Sequence, residues 1–180
     1  ICPMRLESIL AWTEFLTNRP DIFVSIDILP YFLKGDLDDP DLRRLLARTN
    51  AFMPSEAEAE SLMPGCDPET FCREIAARGP RLVVIKQGDH GATVFDRELD
   101  LIRRISPYPA RIDDLTGAGD SFCGGFAIGY AETGNIIEAA LYGTVSASYI
   151  IESFGGLHAL AVERSMAEVR LAELARINQS

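Results

Sequence analysis

Residues 113–126 read Asp113-Asp114-Leu115-Thr116-Gly117-Ala118-Gly119-Asp120-Ser121-Phe122-Cys123-Gly124-Gly125-Phe126. The small residues at 117–119 let the chain turn tightly and bring its backbone close to a ligand. The apolar spacing that follows predicts a long helix from Gly119 to about Glu132, broken at Thr133-Gly134-Asn135. A helix opening on such a turn presents unsatisfied N–H groups and the positive end of its dipole, which together hold anions. Asp120 falls in the first helical turn beside that site. The spacing is not a Walker A loop, because no Gly-Lys-Ser/Thr follows. It is not the dinucleotide fingerprint either, which needs a third glycine. Acidic residues in first turns also occur simply because they complement the dipole.

Working outward, strands and helices alternate. Helical spacing over residues 6–18 stops at Pro20, and Ile22–Leu29 reads as a buried strand closed by Pro30. Asp39-Pro40 opens a helix to about Arg48. Ala51–Met53 is a short strand; helices start at Ser55 and at Asp67-Pro68, the second ending near Ala77. Arg81–Lys86 and Ala92–Phe95 are strands joined by the loop Gln87–Gly91, and residues 99–106 suggest another. After the break at 133–135 a helix runs to about Glu152. The tail, 161–177, is a helix with Val162, Met166, Val169 and Leu174 as its inner candidates. This alternation predicts one α/β domain over residues 1–180, with a largely parallel sheet flanked by helices. The sequence holds no internal repeat, low-complexity segment or linker.

Composition narrows the function. The formal net charge is −10, which argues against partners that need a basic footprint, namely nucleic acid and anionic membrane. An anionic substrate would therefore need a local positive source such as the 117–119 helix start. No apolar run approaches the ~20 residues of a membrane span, and no basic-then-apolar leader pattern is seen. Cys2, Cys66, Cys72 and Cys123 form no C-x-x-C pair; they read as reduced thiols used as small hydrophobes, which suits the cytoplasm. The chain opens on Ile1-Cys2-Pro3 rather than methionine, as a fragment, a processed product or the visible part of something longer would.

Asp114-Leu115-Thr116-Gly117-Ala118-Gly119-Asp120 resembles the Asp-Thr-Thr-Gly-Ala-Gly-Asp signature of ribokinase-like (PfkB) carbohydrate kinases, and Ser121-Phe122-Cys123-Gly124-Gly125-Phe126 continues the match. Leu115 departs from it, standing where threonine is usual. The resemblance implies a ribokinase-like three-layer sandwich and an ATP-dependent phosphotransferase acting on a hydroxyl of a sugar or sugar-like molecule. It implies that Gly117, Ala118 and Gly119 form an anion hole and that Asp120 activates the acceptor hydroxyl. Asp114 and Thr116 match positions that help bind a monovalent cation such as K+, and Gly143–Gly155 covers the adenine and cation region, with Gly143 on the nucleotide side and Gly155 on the cation side. Close helix packing explains the small residues at 143–148 equally well, and Gly155-Gly156 also reads as a helix C-cap.

Three further segments carry paired readings. Lys86-Gln87-Gly88-Asp89-His90-Gly91 resembles the family's strand–Gly-x-x-Gly turn, which supports nucleotide phosphates and ribose; a hairpin with turn glycines and an exposed Lys86 is the alternative. Ser55-x-x-Glu58 resembles the Asn-x-x-Glu segment that organises Mg2+, with serine in place of asparagine, and it is also a capping box. Asp27 ends a strand, where open α/β sheets bind ligands, but the asparagine and arginine that follow it in the family are absent. His90 and His158 have no partner at metal-ligand spacing and read as ordinary polar residues.

The resemblance covers about the last three-fifths of a typical family member, judged by domain length. The N-terminal part and lid, which grip the acceptor, are missing, so the acceptor is unreadable and whether residues 1–180 act alone stays open. A homo-oligomer, or the missing N-terminal segment, would cover the sheet edge left behind. The competing reading is a non-catalytic nucleotide-binding or regulatory module built on a kinase fold.

Overall fold

The computed structural model describes residues 11, 14, 15, 19, 21–27 and 37–179. They fall into two compact units: the described residues up to Ile85 with Phe95–Leu101, and Lys86–Val94 with the residues from Ile102 on.

In the first unit, β1 (Ser25–Ile26), α1 (Pro40–Leu46), β2 (Ala51–Phe52), α2 (Glu56–Leu62), α3 (Pro68–Ala76) and β3 (Leu82–Lys86) follow in order. β1 pairs with β2 in parallel, Ser25 opposite Ala51, and β2 pairs with β3 in parallel, Ala51 opposite Leu82. β4 (Ala92–Asp96) and β5 (Leu101–Ile105) complete a five-stranded sheet whose strands lie in sequence order. Leu82–Ile85 are all buried, as expected of a strand covered on both faces. α1 and α3 start where their caps dictate. Asp39 Oδ1 accepts from the Asp41 and Leu42 amides at 2.9 and 3.1 Å, and Asp67 Oδ1 from those of Glu69 and Thr70 at 3.1 and 3.0 Å. Each such cap contributes about 1 kcal/mol. Leu45, Leu46, Phe52, Phe71 and Ile75 form the core here.

In the second unit, α4 (Ala118–Thr133), α5 (Ile136–Ile150) and α6 (Arg164–Ile177) follow the strands, with a 3-10 segment at Gly156–Ala161. α4 ends at Gly134, φ 64°, and Asn135 starts α5 by accepting from the Ile137 and Glu138 amides. α4 and α5 pack closely: a Cβ at Gly143 would lie 2.8 Å from Phe122 O, and one at Gly125 2.7 Å from Ser146 Cβ.

Three expectations change. β1 is two residues long rather than the buried strand expected over 22–29; Ser25 is exposed and Ile26 half-buried, because β1 lies at an edge of the sheet, and residues 28–29 lie outside the described residues. The tail helix starts at Arg164, not 161, after the 3-10 segment. Met166 and Val169 are 52% and 59% exposed. The inner face of α6 is instead Ala167, Arg170, Leu171 and Leu174, of which only Leu174 is fully buried. Of the helix expected over 6–18, residues 11, 14 and 15 are helical and the others lie outside the described residues.

Candidate active site

The 113–120 turn is tied down before it reaches α4. The Asp113 and Asp114 amides donate to Ile151 O at 2.8 and 3.3 Å. Asp114 Oδ1 accepts from the Thr116 amide at 2.9 Å, and its Oδ2 from the Gly155 amide at 3.4 Å. Hydrogen bonds from Thr116 and then the Gly155 amide hold the Asp114 carboxyl below the usual carboxylate range. The chain then passes through Gly117 at φ 82°, ψ 1°, a left-handed conformation that glycine adopts without a Cβ penalty.

Gly117 is the N-cap of α4, and no side chain caps this helix. The Ala118 amide reaches back to Leu115 O, and the first helical bond runs from the Ser121 amide to Gly117 O at 2.9 Å. The Gly119 and Asp120 amides belong to the first turn, whose N–H groups lack intrahelical acceptors. The first-turn side chains diverge. Ser121 turns inward, its hydroxyl 2.8 Å from that of Ser146, at a cavity of about 330 Å³ bounded by α4, α5 and α6. Asp120 is exposed. A carboxylate thus faces solvent beside an uncapped, positive helix end, an arrangement able to hold an anion and accept a proton next to it.

The Gly88 turn belongs to the same unit. Gly88–His90 form one 3-10 turn, closed by the Gln87 amide on Gly91 O at 2.8 Å. Gly88 and Gly91 both have positive φ, 56° and 84°. Nothing lies within 4 Å of a Cβ at Gly88, whereas one at Gly91 would meet Ile105 O at 1.9 Å. The open position is Gly88, and Gly91 is glycine because the backbone of β5 presses on it. Lys86 is half-buried, with Nζ 3.7 Å from Cys123 Sγ, so the fully exposed lysine of the alternative reading is not what the structure has.

Glu58 lies on α2 in the first unit and is only 7% exposed. Its Oε2 accepts from the Ser55 amide at 2.6 Å while the Ser55 hydroxyl accepts from the Glu58 amide at 3.3 Å, which is the expected capping box. Asp27 is exposed at the end of β1. Gly143 is buried by α4, so helix packing accounts for its lack of a side chain. His158 is part of the site's frame: its ring nitrogens lie 2.6 Å from Gly155 O and 2.8 Å from Tyr149 O. Its partners are backbone carbonyls, one of them nine residues away, so no local sequence pattern marks His158 as more than an ordinary polar residue.

The sequence from 13 to 161 matches the pfkB family carbohydrate kinase. The chain belongs to that family. It is 29% identical to the cytidine kinase of Thermococcus kodakarensis over 133 residues, 73% of this chain and 48% of that one. It is 32% identical to the 5-dehydro-2-deoxygluconokinase of Clostridium perfringens over 156 residues, 84% and 46% of the two chains. The ribokinase of Thermotoga maritima superposes with a TM-score of 0.76 at 22% identity, covering 94% of this chain and 54% of that one. A ribokinase-II-type protein of E. coli, solved with ATP and Mg2+, gives 0.75 at 22% identity over 93% and 54%. The fold of this pfkB chain is therefore ribokinase-like. The chain spans about half the length of the relatives it matches, somewhat less than the sequence suggested. Among the described residues no helix is long and apolar enough to cross a membrane.

Proposed function

We propose that this chain supplies the phosphoryl-transfer half of an ATP-dependent kinase that phosphorylates a hydroxyl of a sugar or sugar-like small molecule. One observation carries the reading: Asp120 stands exposed in the first turn of a helix whose N-terminus has a glycine turn and no side-chain cap.

The residues present fit a nucleotide phosphate. The uncapped α4 amides offer donors, Gly88 leaves space above its turn, and Lys86 places a cation on the adjoining strand. They fit magnesium in one respect only. Among the described residues no three His, Cys, Asp or Glu side chains gather into a metal cluster, and magnesium commonly keeps its waters and takes one or two carboxylates plus phosphate oxygens. Glu58, in the first unit, is the carboxylate that the family resemblance implies for magnesium. Asp114, Thr116 and Gly155 would hold a monovalent cation beside the turn, and Gly143 would border the base. When bound, ATP supplies the phosphoryl group and magnesium offsets its charge.

The chain's own residues do the rest. Asp120 would accept the hydroxyl proton as that oxygen bonds to the γ-phosphorus and the bridging P–O bond breaks, with ADP as the leaving group. The backbone of residues 117–119 would stabilise the oxygens on which charge accumulates, with the Ala118 amide shared with Leu115 O, because preorganised donors contribute most there. A fixed turn holds both groups in place, so positioning supplies much of the rate.

Asp120→Asn in the full natural chain tests this. Turnover should fall by about 10²–10⁴, the range for a positioned general base, while the KM for ATP stays within about threefold. Undiminished turnover in that variant would remove Asp120 from the chemistry. Nucleotide binding without turnover in the unaltered chain would favour the non-catalytic module instead.

A further inference from the structure

α5 has no basic residue in its last turn, although a helix C-terminus attracts cations. Two arginines from other segments take that place. Arg111 Nη2 donates to Glu152 O at 3.2 Å and to the Asp113 carboxylate. Arg170, from the inner face of α6, does more. Its Nη1 donates to Ser148 Oγ at 2.9 Å, and its Nη2 to both Glu152 carboxylate oxygens at 2.8 and 3.0 Å. Its guanidinium carbon lies 3.7 Å from the Tyr149 ring centroid and 4.8 Å from that of Tyr108. The side chain is 17% exposed.

The residues so gripped, Ser148, Tyr149 and Glu152, bracket Ile151. Ile151 O is the acceptor for both the Asp113 and Asp114 amides. Asp114 in turn holds the Thr116 and Gly155 amides, and Gly117 follows directly. Tyr149 O also meets His158, whose other nitrogen meets Gly155 O. Side-chain contacts of Arg170, the backbone at the end of α5, and the hydrogen bonds from Ile151 O and Tyr149 O therefore link Arg170 to both loops that frame the α4 N-terminus.

We propose that Arg170 is a positioning residue for the 114–119 turn: by clamping Ser148 and Glu152 it fixes Ile151 O and through it Asp114, while touching neither nucleotide nor acceptor. The inference rests on the phosphotransfer reading for its effect on rate, but not for its effect on the turn. Lysine would not replace Arg170, because a planar fork is needed to hold a carboxylate with two bonds and to stack on Tyr149.

A plain fastener between α6 and α5 would make the same contacts, so the test must separate the two roles. In the full natural chain, Arg170→Met and Glu152→Gln are compared with Leu174→Ala, which cuts a fully buried anchor of the same helix and leaves Glu152 alone. Amide hydrogen exchange is read without substrate. For Arg170→Met, exchange at Thr116 and Gly155 should speed up by about tenfold, with β3 amides unchanged. Glu152→Gln should act in the same direction and serves if Arg170→Met does not fold. In turnover, Arg170→Met should lower kcat by about tenfold while the KM for ATP moves less than about threefold. Leu174→Ala should leave kcat within about twofold under native conditions. The proposal is overturned if exchange at Thr116 and Gly155 stays at the unaltered rate in both Arg170 and Glu152 variants, or if Leu174→Ala reproduces their loss of kcat. Absence of turnover in the unaltered chain would refute the kinase reading alone, since exchange still decides the role of Arg170.

Discussion

Gly91→Ala and Gly88→Ala together measure how firmly the strand framework presses on the Gly88 turn. Gly91 has φ 84° and ψ −126°, a backbone region that costs a residue with a Cβ on the order of 1–3 kcal/mol. A Cβ there would also lie 1.9 Å from Ile105 O and 3.0 Å from Ile105 C and Pro107 N. These are backbone atoms that cannot rotate aside. An ordinary C···O approach is about 3.3 Å, so the end of β5 must retreat by roughly 1.4 Å. Overpacking of that kind adds about 1–3 kcal/mol. The expected total is about 2–6 kcal/mol, against a typical domain stability of about 5–15. Gly88 shares the left-handed φ, but a Cβ there meets nothing within 4 Å, so Gly88→Ala should cost only about 1–2 kcal/mol. Urea unfolding of both variants, compared by midpoint at equal m-value, reads the difference. Gly91→Ala should be the weaker by about 1–3 kcal/mol, the overpacking cost that Gly88→Ala does not carry. Equal losses would refute the argument that β5 dictates glycine at 91.

Two further outcomes follow from the first unit. Burial, and next the nearby Glu69 carboxylate, push the Cys72 thiol up to about 12. A raised folded-state value leaves stability intact below the ordinary 9.0 and removes it as pH climbs toward 12, at about 1.4 kcal/mol per pH unit. The unaltered chain should therefore lose stability more steeply than Cys72→Ala across that window, and parallel curves would contradict the burial argument. Ser55→Ala should cost about 1 kcal/mol through loss of the cap, whereas Ser55→Asn should stay within about 0.5 kcal/mol because asparagine caps as well; equal losses in urea unfolding would show that the box does not hold α2.

Much of this fold was legible because its signals are local. Asp39-Pro40, Asp67-Pro68 and Ser55-x-x-Glu58 each state a helix start within four residues, and each cap is found in the structure. The strand over Leu82–Lys86 was legible from an apolar run too short for a helix. The Gly117 turn was legible because glycine takes that left-handed backbone without a Cβ penalty. What was hidden depends on contacts distant in sequence. Gly155 reaches Asp114 across 41 residues, and Arg170 reaches Ser148 and Glu152 across 22 and 18. On α6 the usual rule misleads: Met166 and Val169 are exposed, while Arg170 turns inward. A charged residue with an apolar stem, stacked on an aromatic ring and paired with a carboxylate, can line an inner face that periodicity assigns to hydrophobes.

The claim that the glycine turn at the start of α4 is the phosphate site is tested most directly by calorimetric titration of Mg·ATP into the full natural chain, beside Gly119→Val. The valine places a branched side chain where the backbone amides must meet phosphate, so the unaltered chain should bind and the variant should bind at least roughly tenfold more weakly. Equal affinity in the two, with both folded, would contradict a phosphate site at residues 117–119.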